Sequence, residues 1–214
     1  IRGMQLGFRA MSNTYGNWEL PQFDQQIRDL AVFGGNAIEL VAGFDREAPG
    51  DLTMPSLDNM AGVSGLAASY GLDVWLWTPA REHNYSDPAL VARTLGEWEK
   101  IFRAVPRIDG IYVPGGDPGD TPPELLLPLA ERQAALLRKY HPRAGVWISV
   151  QGFNRAHLDY FFDYLRTRQP DWLAGVIQSS WTDLTIAQIR ERTPARYPIR
   201  SLSLIHISEP TRLR

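Results

Sequence analysis

At 214 residues, with ordinary apolar and charged fractions, the chain is long enough for one sizeable core and too evenly patterned to suggest two domains. A formal net charge of −2 without a Lys/Arg cluster argues against nucleic acid or an anionic membrane as a partner. The absence of cysteine excludes a disulfide framework and thiolate metal ligands, while the compartment, whether cytosolic, periplasmic or secreted, stays open.

The chain starts at Ile1-Arg2-Gly3, without an initiator Met or signal-like segment, so a native N-terminus further upstream is expected. Residues 4–11 alternate, with Met4, Leu6, Phe8 and Ala10 on one face and Gln5, Gly7 and Arg9 on the other, which predicts a strand between two different environments. A helix follows from Pro21, carrying Phe23, Ile27 and Leu30, and Gly34-Gly35 stops it. Residues 36–42 form the second strand, with Glu39 opposite Ile38 and Leu40. After a polar loop and a glycine-diluted helix over 57–70, the third strand (72–79) sets Val74 and Leu76 against Trp75 and Trp77. Asp87-Pro88 caps a long helix with an apolar stripe.

The fourth strand leads into Val113-Pro114-Gly115-Gly116-Asp117-Pro118-Gly119-Asp120, a loop with two carboxylates among glycines, and then Thr121-Pro122-Pro123-Glu124, a capping-box pattern. The helix it opens runs over 122–140 with Pro128 inside, where a kink is expected. Residues 144–151 repeat the strand logic, with Val146, Ile148 and Val150 against Trp147, Ser149 and Gln151. Asn154 caps the next helix, residues 172–179 form a sixth strand, 184–192 a short helix, and Tyr197-Pro198-Ile199 begins a seventh strand.

This strand-helix alternation predicts a parallel sheet. An open doubly wound sheet buries both faces of its central strands under helices, whereas here one face carries Arg9, Glu39, Trp77, Ser149 and Gln151. A (β/α)8 TIM barrel uses such residues inside, so the expected fold is an incomplete barrel of about six βα units plus the start of a seventh strand. Leu202 to Arg212 also matches the translation of a transposon-end sequencing adapter without a mismatch. The expected division is therefore a partial barrel domain over 1–200 and a non-native tail over 201–214, with activity belonging to a full-length chain.

In parallel α/β folds chemistry sits at the C-terminal ends of strands. Read there, the catalytic candidates are Asp117, Glu39 and Glu82, and the substrate-binding candidates are Arg9, Asn13, Trp77, Tyr85, Gln151, Asn154, Gln178 and Trp181. Carboxylates supply acid, base or nucleophile, amides bind hydroxyls and aromatic rings stack on pyranose faces, which points to a carbohydrate substrate. Each has a plainer alternative: Glu39 paired with Arg9 as a structural ion pair, Asp117 in an Asx turn, Asp120 as a helix cap, and Trp75 or Trp77 as core. His83, His141 and His157 lack metal-ligand spacing, and no phosphate loop, nucleophile elbow or dinucleotide fingerprint occurs, so neither metal nor cofactor is expected.

The segments Arg2 to Arg9, Phe33 to Leu40, Gly71 to Trp77 and Val113 to Gly119 resemble the TIM-barrel glycoside hydrolases, particularly bacterial barrels related to α-glucuronidases and β-N-acetylhexosaminidases. The hexosaminidases end their fourth strand in Gly-Gly-Asp-Glu, whose Glu is the general acid and whose Asp positions the acetamido group. Gly115, Gly116 and Asp117 fit that pattern, but Pro118 stands in place of the Glu, so the family's acid does not carry over. The resemblance implies a glycoside hydrolase acting on oligo- or polysaccharide fragments. A non-catalytic carbohydrate-binding barrel is the alternative. A sugar isomerase or aldolase barrel needs a metal cluster or an inward lysine, and Lys100 and Lys139 fall on helices.

Overall fold

The computed structural model describes residues 2–7, 18–41, 56–179 and 181–202. Among the described residues seven strands alternate with six helices: β1 (Gly3–Gly7), α1 (Leu20–Val32), β2 (Ala37–Val41), α2 (Ser56–Ser69), β3 (Asp73–Trp77), α3 (Pro88–Ala104), β4 (Gly110–Val113), α4 (Pro123–Tyr140), β5 (Gly145–Ser149), α5 (Arg155–Arg168), β6 (Leu173–Gln178), α6 (Ile186–Arg192) and β7 (Ile199–Ser201). All strand pairs are parallel, and the order in the sheet is the order in the chain. A doubly wound sheet reverses direction at a switch point; unbroken sequential order belongs to a barrel.

The period-two pattern assigns the two faces as expected. Ile38, Val74, Ile111, Ile148 and Val176 are fully buried under the helices, packed with Ile27, Phe161 and Leu165. The other face carries a second, aromatic cluster of Trp75, Tyr112, Trp147 and Ile177. Large rings there meet absent side chains: Trp75 pairs in register with Gly110, and Trp147 with Gly175. A Cβ on Gly175 would lie 2.3 Å from Trp147 Cζ3, and one on Gly110 would lie 3.1 Å from Trp75 Cδ2. This alternation of large and small residues is how a narrow barrel interior fills.

The sheet is curled. Arg200 on β7 reaches the ring of Trp75 on β3, four strands away, with its guanidinium carbon 4.4 Å from the ring centroid. Four steps across a flat sheet would separate them by about 19 Å. The chain is thus an incomplete (β/α)8 barrel.

Local signals were honoured at most helix starts. Asp87 Oδ1 accepts the Ala89 N–H (2.9 Å), Asn154 Oδ1 accepts the His157 N–H (3.0 Å), and Thr185 with Gln188 forms a capping box on α6. The expected capping box on α4 does not form. Pro122 is its N-cap, and the Thr121 hydroxyl donates instead to the Glu82 carbonyl across the loops at 2.7 Å. Asp120 has φ 50 and likewise does not cap α4; its carbonyl contacts His83 Nδ1 at 2.8 Å.

Candidate active site at the strand ends

The loops after β3, β4 and β5 hold one another through backbone contacts. The Gly119 N–H donates to the Ala80 carbonyl (3.2 Å), and the Gly116 N–H donates to the Gln151 carbonyl (2.9 Å). This close approach explains Gly115: its φ is 62, and a Cβ there would sit 2.3 Å from the Gln151 carbonyl oxygen. Only glycine accepts both the left-handed backbone and the contact. The same clasp brings Gln151 to Asp117, and Gln151 Nε2 donates to Asp117 Oδ2 at 2.9 Å.

Around this pair opens a cleft of about 650 Å³, lined by Gln5, Trp77, Tyr112, Asp117, Gln151 and Gly152, with Trp181, Thr182 and Asp183 after β6. Asp117 and Gln151 are half-buried, whereas Trp181 is 66% exposed, a large ring standing in solvent beside polar groups.

Glu39 lies one level deeper, in register with Gln5 on β1 and Trp75 on β3. Gln5 Nε2 donates to Glu39 Oε1 at 2.7 Å. Glu39 lines a second cavity of about 580 Å³, bounded by Arg2, Gln5, Trp75 and Arg200. Gln5 is common to both cavities. So is the electrostatics: Tyr112, 1% exposed, has its phenol pushed far above the usual range, chiefly by burial and further by the charges of Glu39 and Asp117, against the opposing hydrogen bond to Ser149. The phenol stays protonated throughout the working pH range.

The remaining expected contacts fall elsewhere. Tyr85 is buried in the core, and its hydroxyl accepts the Arg81 N–H (3.0 Å) and the Glu82 N–H (3.4 Å), shaping the β3–α3 loop. Glu82 is half-buried in that loop and lines neither cavity. Asn154 spends its side-chain oxygen capping α5. Gln178 shares the outward parity of Val176; its Oε1 accepts from Ser201 Oγ (2.7 Å) and its Nε2 donates to the Ser179 carbonyl (3.0 Å). Arg9 and Asn13 lie outside the described residues. Conversely, Gln5, Tyr112 and Asp183 were missed. Tyr112 was detectable, since it alternates with Ile111 and Val113, which puts it on the inner face with Trp75 and Trp147.

No protein-family profile and no curated protein matches the sequence. Solved structures do match in shape. An O-GlcNAc hydrolase variant (D120N) from Thermobaculum terrenum superposes with a TM-score of 0.63 at 15% identity, covering 98% of this chain and 48% of that one. GH5_18 from Streptomyces cattleya in complex with GlcNAc gives 0.56 at 15% identity, covering 84% and 51%. N-acetylneuraminate lyase from Proteus mirabilis gives 0.54 at 15% identity, covering 94% and 63%. The chain spans about half the length of the first two. At such identities the likeness concerns the fold: this is a TIM-barrel architecture of the kind found in glycoside hydrolases, and shared by a lyase.

Proposed function

We propose that the full-length chain is a glycoside hydrolase acting on oligo- or polysaccharide fragments, with Asp117 as its central carboxylate. The observation that carries this reading is the placement of Asp117, held by Gln151, in an open cleft with the rings of Trp77 and Trp181. Asp117 Oδ2 accepts from the Gln151 side-chain N–H, a partner that suits a base, a nucleophile or a stabiliser of positive charge at the anomeric carbon. Glu39, reached through Gln5, is the second carboxylate, and Arg9 and Asn13 join Gln151 as hydroxyl-binding groups. Glycoside hydrolases and sugar complexes among the barrels of similar fold agree with this substrate class. The test is turnover of chromogenic glycosides and oligosaccharides by full-length protein carrying Asp117→Asn or Glu39→Gln. Each is expected to lower kcat by orders of magnitude. Near-normal turnover in both variants would sink the assignment.

A second reading has its own support. Pro118 occupies the position after Asp117 where the hexosaminidase pattern has its acid, which suits a barrel that binds carbohydrate without cleaving it. Oligosaccharide binding by the wild-type protein without product formation would select that reading.

A further inference from the structure

The polar groups around Asp117 form a hydrogen-bonded chain. Tyr112 Oη lies 3.3 Å from both Ser149 Oγ and Gln151 Oε1, and Gln151 Nε2 lies 2.9 Å from Asp117 Oδ2. The Gln151 amide thus turns its NH2 end to Asp117. Its oxygen then faces Tyr112, whose single proton has two acceptors at 3.3 Å, Gln151 Oε1 and Ser149 Oγ; the amide oxygen can only accept whereas the Ser149 hydroxyl can also donate, so giving the proton to Gln151 is the arrangement that satisfies both. Toward Ser149 the phenol oxygen is left to accept. The chain ends on the carboxylate.

We propose that Tyr112 is a positioning residue: by donating to Gln151 Oε1 it locks the amide with its N–H toward Asp117 and thereby holds Asp117 ionised. The identification of Asp117 as the working carboxylate rests on the reading above; the relay itself does not require hydrolysis. Tyr112 suits the task because it is fixed on β4, fully enclosed, and kept protonated by that burial. Without its proton the amide could rotate by half a turn and present an oxygen to the carboxylate, which is repulsive. The clasp of Gly116 N–H on the Gln151 carbonyl keeps the backbone of Gln151 in place, so the side-chain amide is the part left to be oriented.

Other ionisable groups near this chain are Glu39 from β2, Asp183 from the loop after β6, Glu82 and His83 from the loop after β3, and Asp120 on the same loop as Asp117. The measurement must therefore be specific to Asp117. In full-length protein with 13C-labelled aspartate and tyrosine, the Asp117 carboxyl carbon is assigned through Asp117→Asn and titrated by NMR in wild-type and Tyr112→Phe protein. Loss of the orienting donor is expected to raise the Asp117 midpoint by about 0.5 to 1 pH unit, a roughly three- to tenfold gain in proton affinity. The acid limb of any kcat/KM profile should move with it. A folded Tyr112→Phe protein with an unchanged Asp117 midpoint overturns the proposal, whether or not the wild-type protein cleaves glycosides. If Tyr112→Phe fails to fold, 3-fluorotyrosine placed at position 112 decides: the stronger donor should lower the Asp117 midpoint, and an unchanged midpoint overturns the relay. A protein that shows the relay but hydrolyses no glycoside would refute the proposed function alone.

Discussion

Arg200 on β7 lies over Trp75 on β3, its guanidinium carbon 4.4 Å from the ring centroid, and also 3.9 Å from that of Trp147 on β5. Three strands are joined across the barrel interior by one cation and two rings. Burial lowers the pKa of the guanidinium, partly opposed by the charge of Asp73, and Nη1 is enclosed without a hydrogen-bond partner among the described residues. The interaction thus gains stacking and loses hydration. Arg200→Met, which keeps the length and removes the desolvated donor, is expected to change stability by less than about 1 kcal/mol. Arg200→Ala should cost about 1–3 kcal/mol by removing the stacked group and opening a void. Urea midpoints of the two variants test this ordering, and a larger loss in Arg200→Met would contradict it.

Gly115 is expected to be intolerant of even one methyl group. Its φ of 62 and the 2.3 Å approach of the Gln151 carbonyl leave no room for a Cβ. Gly115→Ala should cost about 2–4 kcal/mol and loosen the hold of Gln151 on Asp117. Thermal melts read the first effect, and loss of sugar affinity or turnover reads the second.

Trp181 and Tyr85 make opposite predictions. Trp181 is exposed at the cleft, so Trp181→Ala should leave Tm nearly unchanged while weakening oligosaccharide binding about three- to tenfold, the size of one stacking contact. Tyr85 is buried and its hydroxyl satisfies two backbone N–H groups, so Tyr85→Phe should cost about 1–3 kcal/mol with intrinsic sugar affinity unchanged. Calorimetric titration beside thermal melts would reveal a reversed pattern.

Alkaline pH should destabilise the fold through Tyr112. Its folded pKa is raised, mainly by burial, so the folded state holds a proton that the unfolded chain releases near pH 10. The contribution is complete below that pH and is lost as pH rises toward the folded value, at up to about 1.4 kcal/mol per pH unit. Tyr112→Phe is expected to flatten this part of the stability profile. Chemical unfolding between pH 8 and 11 measures the slope, and equal slopes in both proteins would exclude Tyr112 as its source.

The sequence by itself determined which elements form and which way their side chains point. Period-two alternation put Glu39, Trp75, Trp77, Trp147 and Gln151 on the inner face, and Asp87 and Asn154 marked helix starts, because these signals act over a few residues. What only the tertiary structure decided was which loop residues meet. Thr121 and Asn154 both read as polar residues at helix starts, yet one bonds across to the Glu82 carbonyl and the other stays local. Tyr85 and Trp181 both read as loop aromatics, yet one is core and the other lines the cleft. The pairing of Gln151 with Asp117 depends on the close contact of the β4 and β5 loops at Gly115 and Gly116, and the curl that brings Arg200 to Trp75 depends on glycines making room for tryptophans on neighbouring strands. These are contacts between residues 28 or more positions apart, set by the sum of strand twist, register and side-chain volume, and no local pattern encodes that sum.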